Sequence, residues 1–95
     1  MKRVAYARAA INDIADIWDY TEEHWGHAQA VAYDGKLEAQ ILGIAAGEVA
    51  SRSAEEAGPG LRRVMTGRHV VFFRDDHEAV TVVRVLHQSM DVQRL

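Results

Sequence analysis

The pattern of hydrophobic and polar positions begins with a short apolar stretch and then changes to a helical period. Residues 4–6 predict a short edge strand. From about Arg8 the apolar side chains recur every three or four residues, which is the spacing of an amphipathic helix. The predicted buried face comprises Ile11, Ile14, Ala15, Trp18 and Trp25. The predicted solvated face comprises Asn12, Asp13, Asp16, Asp19 and Glu23. Gly26 is the expected end of this helix, because glycine readily adopts helix-terminating conformations.

A second helix is predicted over about residues 28–46, and it carries two apolar stripes. The stripe of large side chains comprises Tyr33, Leu37, Ile41 and Ile44. The nearly opposite stripe of small residues comprises Ala28, Ala32, Gly35, Ala39 and Ala46. Small residues permit close approach of a neighbouring element, so this pattern predicts a helix packed on both sides. Residues 8–46 are therefore predicted to form a helical hairpin that turns at Trp25-Gly26.

Three short β-rich stretches follow a connection at 47–60, which contains the only proline of the chain. The predicted strands span 61–66, 68–74 and 79–86, and their short turns require antiparallel pairing. Both faces of the last two strands are largely apolar, so we expect helices on one face and a loop, tail or partner on the other. The predicted fold is α+β, in the order β-α-α-β-β-β, with a helical hairpin packed on a small antiparallel sheet. Residues 1–95 are expected to form a single domain.

Charge divides the chain into two unlike parts. Residues 1–60 carry five Lys/Arg and ten Asp/Glu, and residues 61–95 carry six Arg and four acids. This asymmetry favours two surfaces with different partners, or else two solvated faces with none. The chain has no cysteine, which excludes a disulfide framework or a thiolate metal site. No signal-peptide core or membrane-length apolar stretch is visible, so a cytoplasmic protein without membrane association is expected.

Three parts of the sequence carry a resemblance to a known family. They are the helical segment from Asp13 to Tyr33, the stretch from Gly60 through His69-Val70-Val71-Phe72-Phe73-Arg74, and the final stretch Val83-Arg84-Val85-Leu86-His87 with Met90-Asp91. In this order they resemble the ParE toxins of the RelE/ParE toxin–antitoxin superfamily. The chain departs from the family pattern in the 47–60 connection. It also has Phe73 where many members have tyrosine, which removes a hydroxyl.

The resemblance implies a toxin that is neutralised by a cognate antitoxin in a hetero-oligomeric complex. ParE-type members poison DNA gyrase, and this is the target that we expect, without direct DNA binding. RelE-type members cut mRNA on the ribosome, and such an endoribonuclease is the alternative. A third possibility is a non-toxic member that retains only antitoxin binding.

Catalytic RNA cleavage requires a general base, a general acid and cations that stabilise the phosphate in the transition state. The candidate residues are His87 with Arg62, Arg63, Arg74 and Arg84. No lysine follows Lys36 and no tyrosine follows Tyr33, so His87 is the one candidate acid or base that accompanies these arginines. Arginines near strand ends are also common as exposed edge charges. The sequence therefore favours a binding surface over a catalytic site, and predicts neither a cofactor nor a metal.

Two binding surfaces are predicted from the same residues. The target-binding candidates are Arg63, Arg74, Arg84, His87, Met90 and Asp91. The antitoxin-binding candidates are Trp18, Trp25, Tyr33, Leu37, Val71 and Phe73. Poisoning of gyrase requires no chemistry from the toxin, so no sequence motif identifies the first surface.

Overall fold

The structure is a computed structural model, and it describes residues 1–90 and residue 95. It contains two long helices and five strands in the described residues. Their bounds are β1 Arg3–Tyr6, α1 Arg8–Trp25, α2 His27–Ala45, β2 Arg52–Ser53, β3 Arg62–Thr66, β4 His69–Asp75 and β5 Ala79–His87. The predicted α+β order is confirmed, and each predicted element begins and ends within about two residues of its observed bounds.

The five strands form one sheet in the order β1-β5-β4-β3-β2. The pairs β2–β3, β3–β4 and β4–β5 are antiparallel, as their short turns require. Strand β1 pairs with β5 in parallel, so the sheet is mixed and not purely antiparallel. Only the observed pairing reveals that β1 runs parallel to β5, because the sequence of β1 does not indicate which later strand it joins. The pairing covers residues 79–82 of β5, and within residues 1–90 no strand lies beside the rest of that edge.

The main core lies between α2 and one face of the sheet. The large apolar stripe of α2 is buried as predicted, with Leu37 and Ile41 at most 2% exposed. They pack in one cluster with Val71, Phe73 and Val82 of the sheet. The stripe of small residues on α2 is instead solvent-exposed. The prediction that α2 packs on both sides is therefore wrong within the described residues, because α1 crosses a different part of its surface.

Helix α1 is rotated relative to the prediction. Ile11 is 54% exposed and Trp25 is 68% exposed, so neither is buried against the sheet. The more buried positions are Ala10, Asp13, Ile14, Ile17, Trp18 and Thr21, so Ile14 and Trp18 of the predicted face are confirmed and the rest of that face is exposed. The interpretation of Asp13 as a solvated residue is wrong, because only 13% of its side chain is exposed. The reason is that α1 packs along the unpaired edge of β5, where a backbone N–H requires an acceptor.

The 47–60 connection covers the second face of the sheet, which confirms the expectation that a loop lies there. Ala54 and Ala57 of the connection are buried in one cluster with Leu61, Phe72 and Leu86. The connection also contributes β2, a strand that the sequence pattern did not predict. The polar composition of the connection concealed its covering role, because its buried positions are the small residues Ala54, Ala57 and Gly58. Among the described residues, no helix has the length and apolarity that crossing a membrane requires.

Candidate functional site

A groove of about 1100 Å³ lies between the helical hairpin and the end of β5 that β1 leaves uncovered. The groove combines aromatic, cationic and acidic side chains with two histidines and a methionine. These lining residues are Tyr20, Trp25, Tyr33, Lys36, Arg68, Arg84, Asp13, Asp16, His69, His87 and Met90. The groove therefore collects side chains from both helices, from the β3–β4 turn and from β5.

Asp13 of α1 is the most highly engaged carboxylate of the groove. Its Oδ2 accepts hydrogen bonds from Nε of Arg84 at 2.8 Å and from the backbone N–H of Val85 at 2.9 Å. Its Oδ1 accepts a third hydrogen bond from a terminal nitrogen of Arg84 at 3.0 Å. The hydrogen bonds to Asp13 raise the pKa of Arg84 above its ordinary value, although partial burial opposes this. The carboxylate thus takes the place of a strand partner at the edge of β5 and fixes the guanidinium in a bidentate geometry.

The two histidines of the groove lie directly opposite each other on adjacent strands. His69 of β4 and His87 of β5 are register partners, and their ring centroids are 5.4 Å apart. Burial and the neighbouring His87 lower the pKa of His69 below its ordinary value. The backbone N–H of Ser89 donates to Nδ1 of His87 at 3.1 Å, so the neutral ring of His87 carries its proton on Nε2.

Tyr33 of α2 connects the helical hairpin to the β3–β4 turn. Its hydroxyl is hydrogen-bonded to Nδ1 of His69 at 2.6 Å and accepts the backbone N–H of Arg68 at 3.0 Å. Gly67 completes this turn with φ +58°, and a Cβ added there would lie 2.7 Å from the phenol of Tyr33. The turn is therefore held in one position by a helix that is distant in sequence.

The arginines that the sequence singled out do not converge. Arg62 donates from Nε to the hydroxyl of Ser51 at 2.6 Å, which fixes the connection to β3. Arg74 donates from Nε to the backbone carbonyl of Pro59 at 3.2 Å. Arg63 lies 3.6 Å from Glu56 on the exposed surface. In the described part of the chain only Arg84 of this set lines the groove.

The remaining predicted site residues divide between the groove and the core. His87 and Met90 line the groove beside Arg84, whereas Asp91 lies outside the described residues. Among the predicted antitoxin contacts, Trp25 and Tyr33 line the groove, and Trp18 is partly exposed. The other three, Leu37, Val71 and Phe73, are at most 2% exposed. Their burial in the core leaves them no surface with which to contact an antitoxin directly.

Several groove residues were not identified from the sequence. Lys36 lies on α2, so counting lysines only in the last third of the chain omitted it, and Tyr33 was predicted only as an antitoxin contact. His69 faces His87 across the β4–β5 hairpin, and the register of that hairpin would have revealed this pairing. The sequence did not identify Asp13 as a groove residue, because its spacing matched that of a solvated helix face.

Comparison with known proteins identifies relatives over nearly the whole chain. Residues 4–92 match the family described as ParE toxin of type II toxin-antitoxin system, parDE. The chain is 41% identical over 93 residues to Toxin ParE1 of Caulobacter vibrioides, covering 98% of this chain and 96% of the relative. It is 40% identical over 93 residues to Toxin ParE1 of Mycobacterium tuberculosis H37Rv, covering 97% and 95%. It is 38% identical over 81 residues to Toxin ParE of Escherichia coli, covering 84% and 79%.

Solved structures with the same fold agree with these relatives. A chain of the chromosomal ParDE TA system from P. aeruginosa has a TM-score of 0.77 at 21% identity, covering 92% of this chain and 96% of that one. A YafQ mutant from E. coli has a TM-score of 0.62 at 8% identity, covering 94% and 96%. At these identities the likeness concerns the fold alone. The family match over residues 4–92 and the relatives of about 40% identity show that this chain belongs to the ParE family and is a ParE toxin of a type II toxin–antitoxin system.

Proposed function

We propose that this ParE toxin binds DNA gyrase, stabilises the cleaved gyrase–DNA complex and is neutralised by a cognate antitoxin. The observation that carries the gyrase proposal is the separation of the strand arginines. Arg62, Arg74 and Arg84 are each hydrogen-bonded to a different part of the chain. A phosphate-cleaving site requires cations that converge on the developing charge. The arrangement supports a binding surface better than a nuclease site.

The groove has the composition of a protein-binding surface. Trp25 and Met90 are more than half exposed at its rim, and Tyr20 is 60% exposed beside them. Aromatic residues and methionine are enriched in the buried centres of protein interfaces. Lys36 and Arg68 add positive charge to the same groove. An amphipathic helix with acidic residues would suit this surface, and we propose such a segment in the antitoxin.

The gyrase proposal predicts loss of ATP-dependent supercoiling and accumulation of cleaved DNA when purified toxin is added to gyrase. The matched pair of variants is His87→Ala, inside the groove, and His77→Ala, an exposed histidine in the β4–β5 turn. We expect His87→Ala to weaken inhibition and His77→Ala to act as the wild type. Supercoiling that continues unchanged with no trapped cleavage complex, from a folded toxin, would refute the gyrase target.

One observation favours the ribonuclease alternative. The groove holds two imidazoles and a phenol, since His69, His87 and Tyr33 lie together, whereas the sequence suggested a single histidine. An acid–base pair of histidines is a common arrangement for proton transfer. Toeprinting of translated mRNA decides between the two functions. Codon-dependent cleavage that disappears in His69→Ala and His87→Ala, but persists in His77→Ala, would establish the ribonuclease.

Neutralisation is tested in cells by inducing the toxin with and without the reading frame encoded beside it. Growth arrest that the neighbouring product relieves supports the antitoxin proposal. Substitution of Trp25 by alanine should weaken the complex, because this side chain is 68% exposed at the rim of the groove. Absence of arrest without the neighbour would indicate a member that retains only antitoxin binding.

A further inference from the structure

We propose that Asp13 is a positioning residue, and that the Arg84 guanidinium it holds recognises a carboxylate of gyrase in the groove. The inference rests on the proposed function, in which gyrase is the target and the antitoxin segment proposed for the same groove would compete with it. It assigns a role to Asp13, which the sequence pattern placed on a solvated face. It also distinguishes Arg84 from the other arginines of the sheet.

The location of Asp13 follows from the point at which β1 ends. β1 ends at Tyr6, and the backbone N–H of the next residue, Ala7, donates to the carbonyl of Val82 at 2.9 Å. The chain then turns into α1, and the carboxylate of Asp13 accepts the N–H of Val85. Satisfying this N–H requires only an acceptor, which an asparagine could also supply. The negative charge of Asp13, which an asparagine would lack, therefore serves to hold the guanidinium of Arg84.

Arg84 keeps donors available on the side facing away from Asp13. A guanidinium has five N–H donors in a rigid fork. Asp13 accepts from Nε and from one terminal nitrogen, so the other terminal nitrogen has no acceptor within the described residues. The Arg84 side chain is 34% exposed, compared with 13% for Asp13, and it lines the groove. The pair thus presents a guanidinium with fixed orientation and unused hydrogen-bonding capacity.

Asp13 meets a structural need by accepting the N–H of Val85, but that need does not require an arginine at position 84. Arg84 lines the groove and its side chain stays 34% exposed, so it remains available to a partner. Arginine is preferred over lysine where a planar, bidentate contact with a carboxylate is made. A guanidinium that is held on one edge loses less entropy when a second carboxylate binds to its other edge.

Charge and apolar surface in the groove favour a protein carboxylate over a nucleic-acid phosphate. Asp16 lines the groove together with Asp13, so a polyphosphate backbone would meet two carboxylates there. Trp25 and Met90 provide apolar surface beside Arg84, which suits an acidic side chain on a folded or helical partner. A single carboxylate beside apolar residues matches this distribution of charge.

The test compares two variants that break the same ion pair. Arg84→Gln removes the cation, and Asp13→Asn leaves the cation but removes its anchoring charge. We expect Arg84→Gln to raise the toxin concentration that half-inhibits gyrase supercoiling by at least about tenfold, which corresponds to about 1.4 kcal/mol, because a charge-assisted hydrogen bond is lost. We expect Asp13→Asn to raise it about threefold, and Arg84→Lys to resemble Arg84→Gln because lysine lacks the planar fork. The matched control is Arg3→Gln, an exposed arginine of β1 outside the groove.

Thermal denaturation and salt dependence separate positioning from folding. The Asp13→Asn and Arg84→Gln variants should have similar Tm values, because both lose the same pair. Added KCl should weaken inhibition less in Arg84→Gln than in the wild type and in Asp13→Asn, because this variant has lost one of the groove cations and keeps Lys36 and Arg68. Equal inhibition by both variants at equal Tm would overturn the inference.

Two further outcomes are decisive. Binding of a fluorescently labelled DNA duplex that depends on Arg84, measured by anisotropy, would replace the carboxylate with a phosphate and overturn the stated ligand. A folded wild-type toxin that leaves gyrase unaffected would refute the proposed function and the inference with it. An active wild type with an equally active Arg84→Gln variant would refute the inference alone.

Discussion

The two halves of strand β5 show how one strand serves both folding and recognition. Residues 79–82 lie between β1 and β4, with strand partners on both edges. Residues 83–87 keep β4 on one edge, but α1 and the groove lie along the other. In the covered half, Val80 and Val82 are fully buried. In the open half, Arg84 and His87 line the groove.

This difference shows that the candidate site lies where β1, the short neighbouring strand, ends. Where β1 continues, the backbone of β5 is satisfied by the sheet and its side chains need only fill the core. Where β1 stops, a side chain must accept the exposed N–H, since an unpaired buried backbone group costs free energy. Asp13 supplies this acceptor, and its charge then orients Arg84. The residue that satisfies the backbone of β5 therefore also orients the arginine of the candidate site.

Truncation of Phe73 tests the covered half and has the largest expected effect. Phe73 is 1% exposed and pairs across the sheet with Val82. Phe73→Ala should lower the free energy of unfolding by about 3–5 kcal/mol, because it removes a buried aromatic ring and leaves a cavity. Urea denaturation measures the loss. Met65→Ala, at a position 53% exposed, should change stability by no more than about 0.5 kcal/mol. Reduced gyrase inhibition per folded Phe73→Ala molecule would contradict the purely structural role of this half.

Substitution of Gly67 tests how firmly the turn beside the open half is held. Gly67→Ala should cost about 1–3 kcal/mol, because its φ of +58° strains a residue with a Cβ and the new methyl would collide with Tyr33. Gly35→Ala is the matched control. It lies inside α2 with nothing within 4 Å, so it should stabilise the protein by roughly 0.5–1 kcal/mol. A Gly67→Ala variant as stable as the wild type would show that the turn moves freely away from α2.

Removal of the Tyr33 hydroxyl tests the hydrogen bonds that hold the β3–β4 turn beside the open half of β5. Tyr33→Phe leaves the backbone N–H of Arg68 and Nδ1 of His69 without this partner. We expect a loss of about 1 kcal/mol in unfolding free energy, since water reaches this partly exposed site. Tyr20→Phe is the control on the exposed side of the groove and should be nearly neutral. A neutral Tyr33→Phe variant would show that the hydroxyl does not hold the turn.

Acidification has the smallest expected effect, and it acts in part through His69, which faces the open half of β5. The pKa of His69 is lowered from its ordinary value of 6.5, so the unfolded chain binds the proton more readily than the folded protein does. The stability contributed by neutral His69 is therefore complete above about pH 6.5 and is lost as pH falls below it. Urea midpoints measured between pH 7.5 and 5.5 should fall less in His69→Gln than in the wild type. The exposed His77→Gln variant should retain the wild-type profile, and an unchanged profile in His69→Gln would contradict this assignment.

Much of the fold was predictable because local pattern and tertiary packing agree in particular elements. The stripe of Leu37, Ile41 and Ile44 on α2 predicted its buried face, and the turns at Gly67 and at residues 75–77 predicted the hairpins. The face of α1 was mispredicted, because α1 packs on a strand edge whose backbone N–H requires an acceptor, and not on a purely apolar surface. Strand β2 has only two residues and carries no periodic signal.

The candidate site was predictable only in part. The predicted target-binding residues Arg84, His87 and Met90 and the predicted antitoxin contacts Trp25 and Tyr33 all line the groove, and all five lie in stretches that resemble the ParE family. The residues that complete the groove come from α1, α2 and the β3–β4 turn, far away in sequence. Arg62 and Arg74 were indistinguishable from Arg84 by sequence, since all three are arginines in or beside predicted strands.

The sequence by itself determined the order of elements, the family and the set of chemical groups that the chain can offer. Those properties depend on local periodicity and on residue identity, which are visible along the chain. Only the tertiary structure decided which arginine lines the groove, which acid holds it and which histidines face each other. These depend on where β1 stops along β5 and how α1 packs on that edge, and both are set by contacts between residues about 70 positions apart.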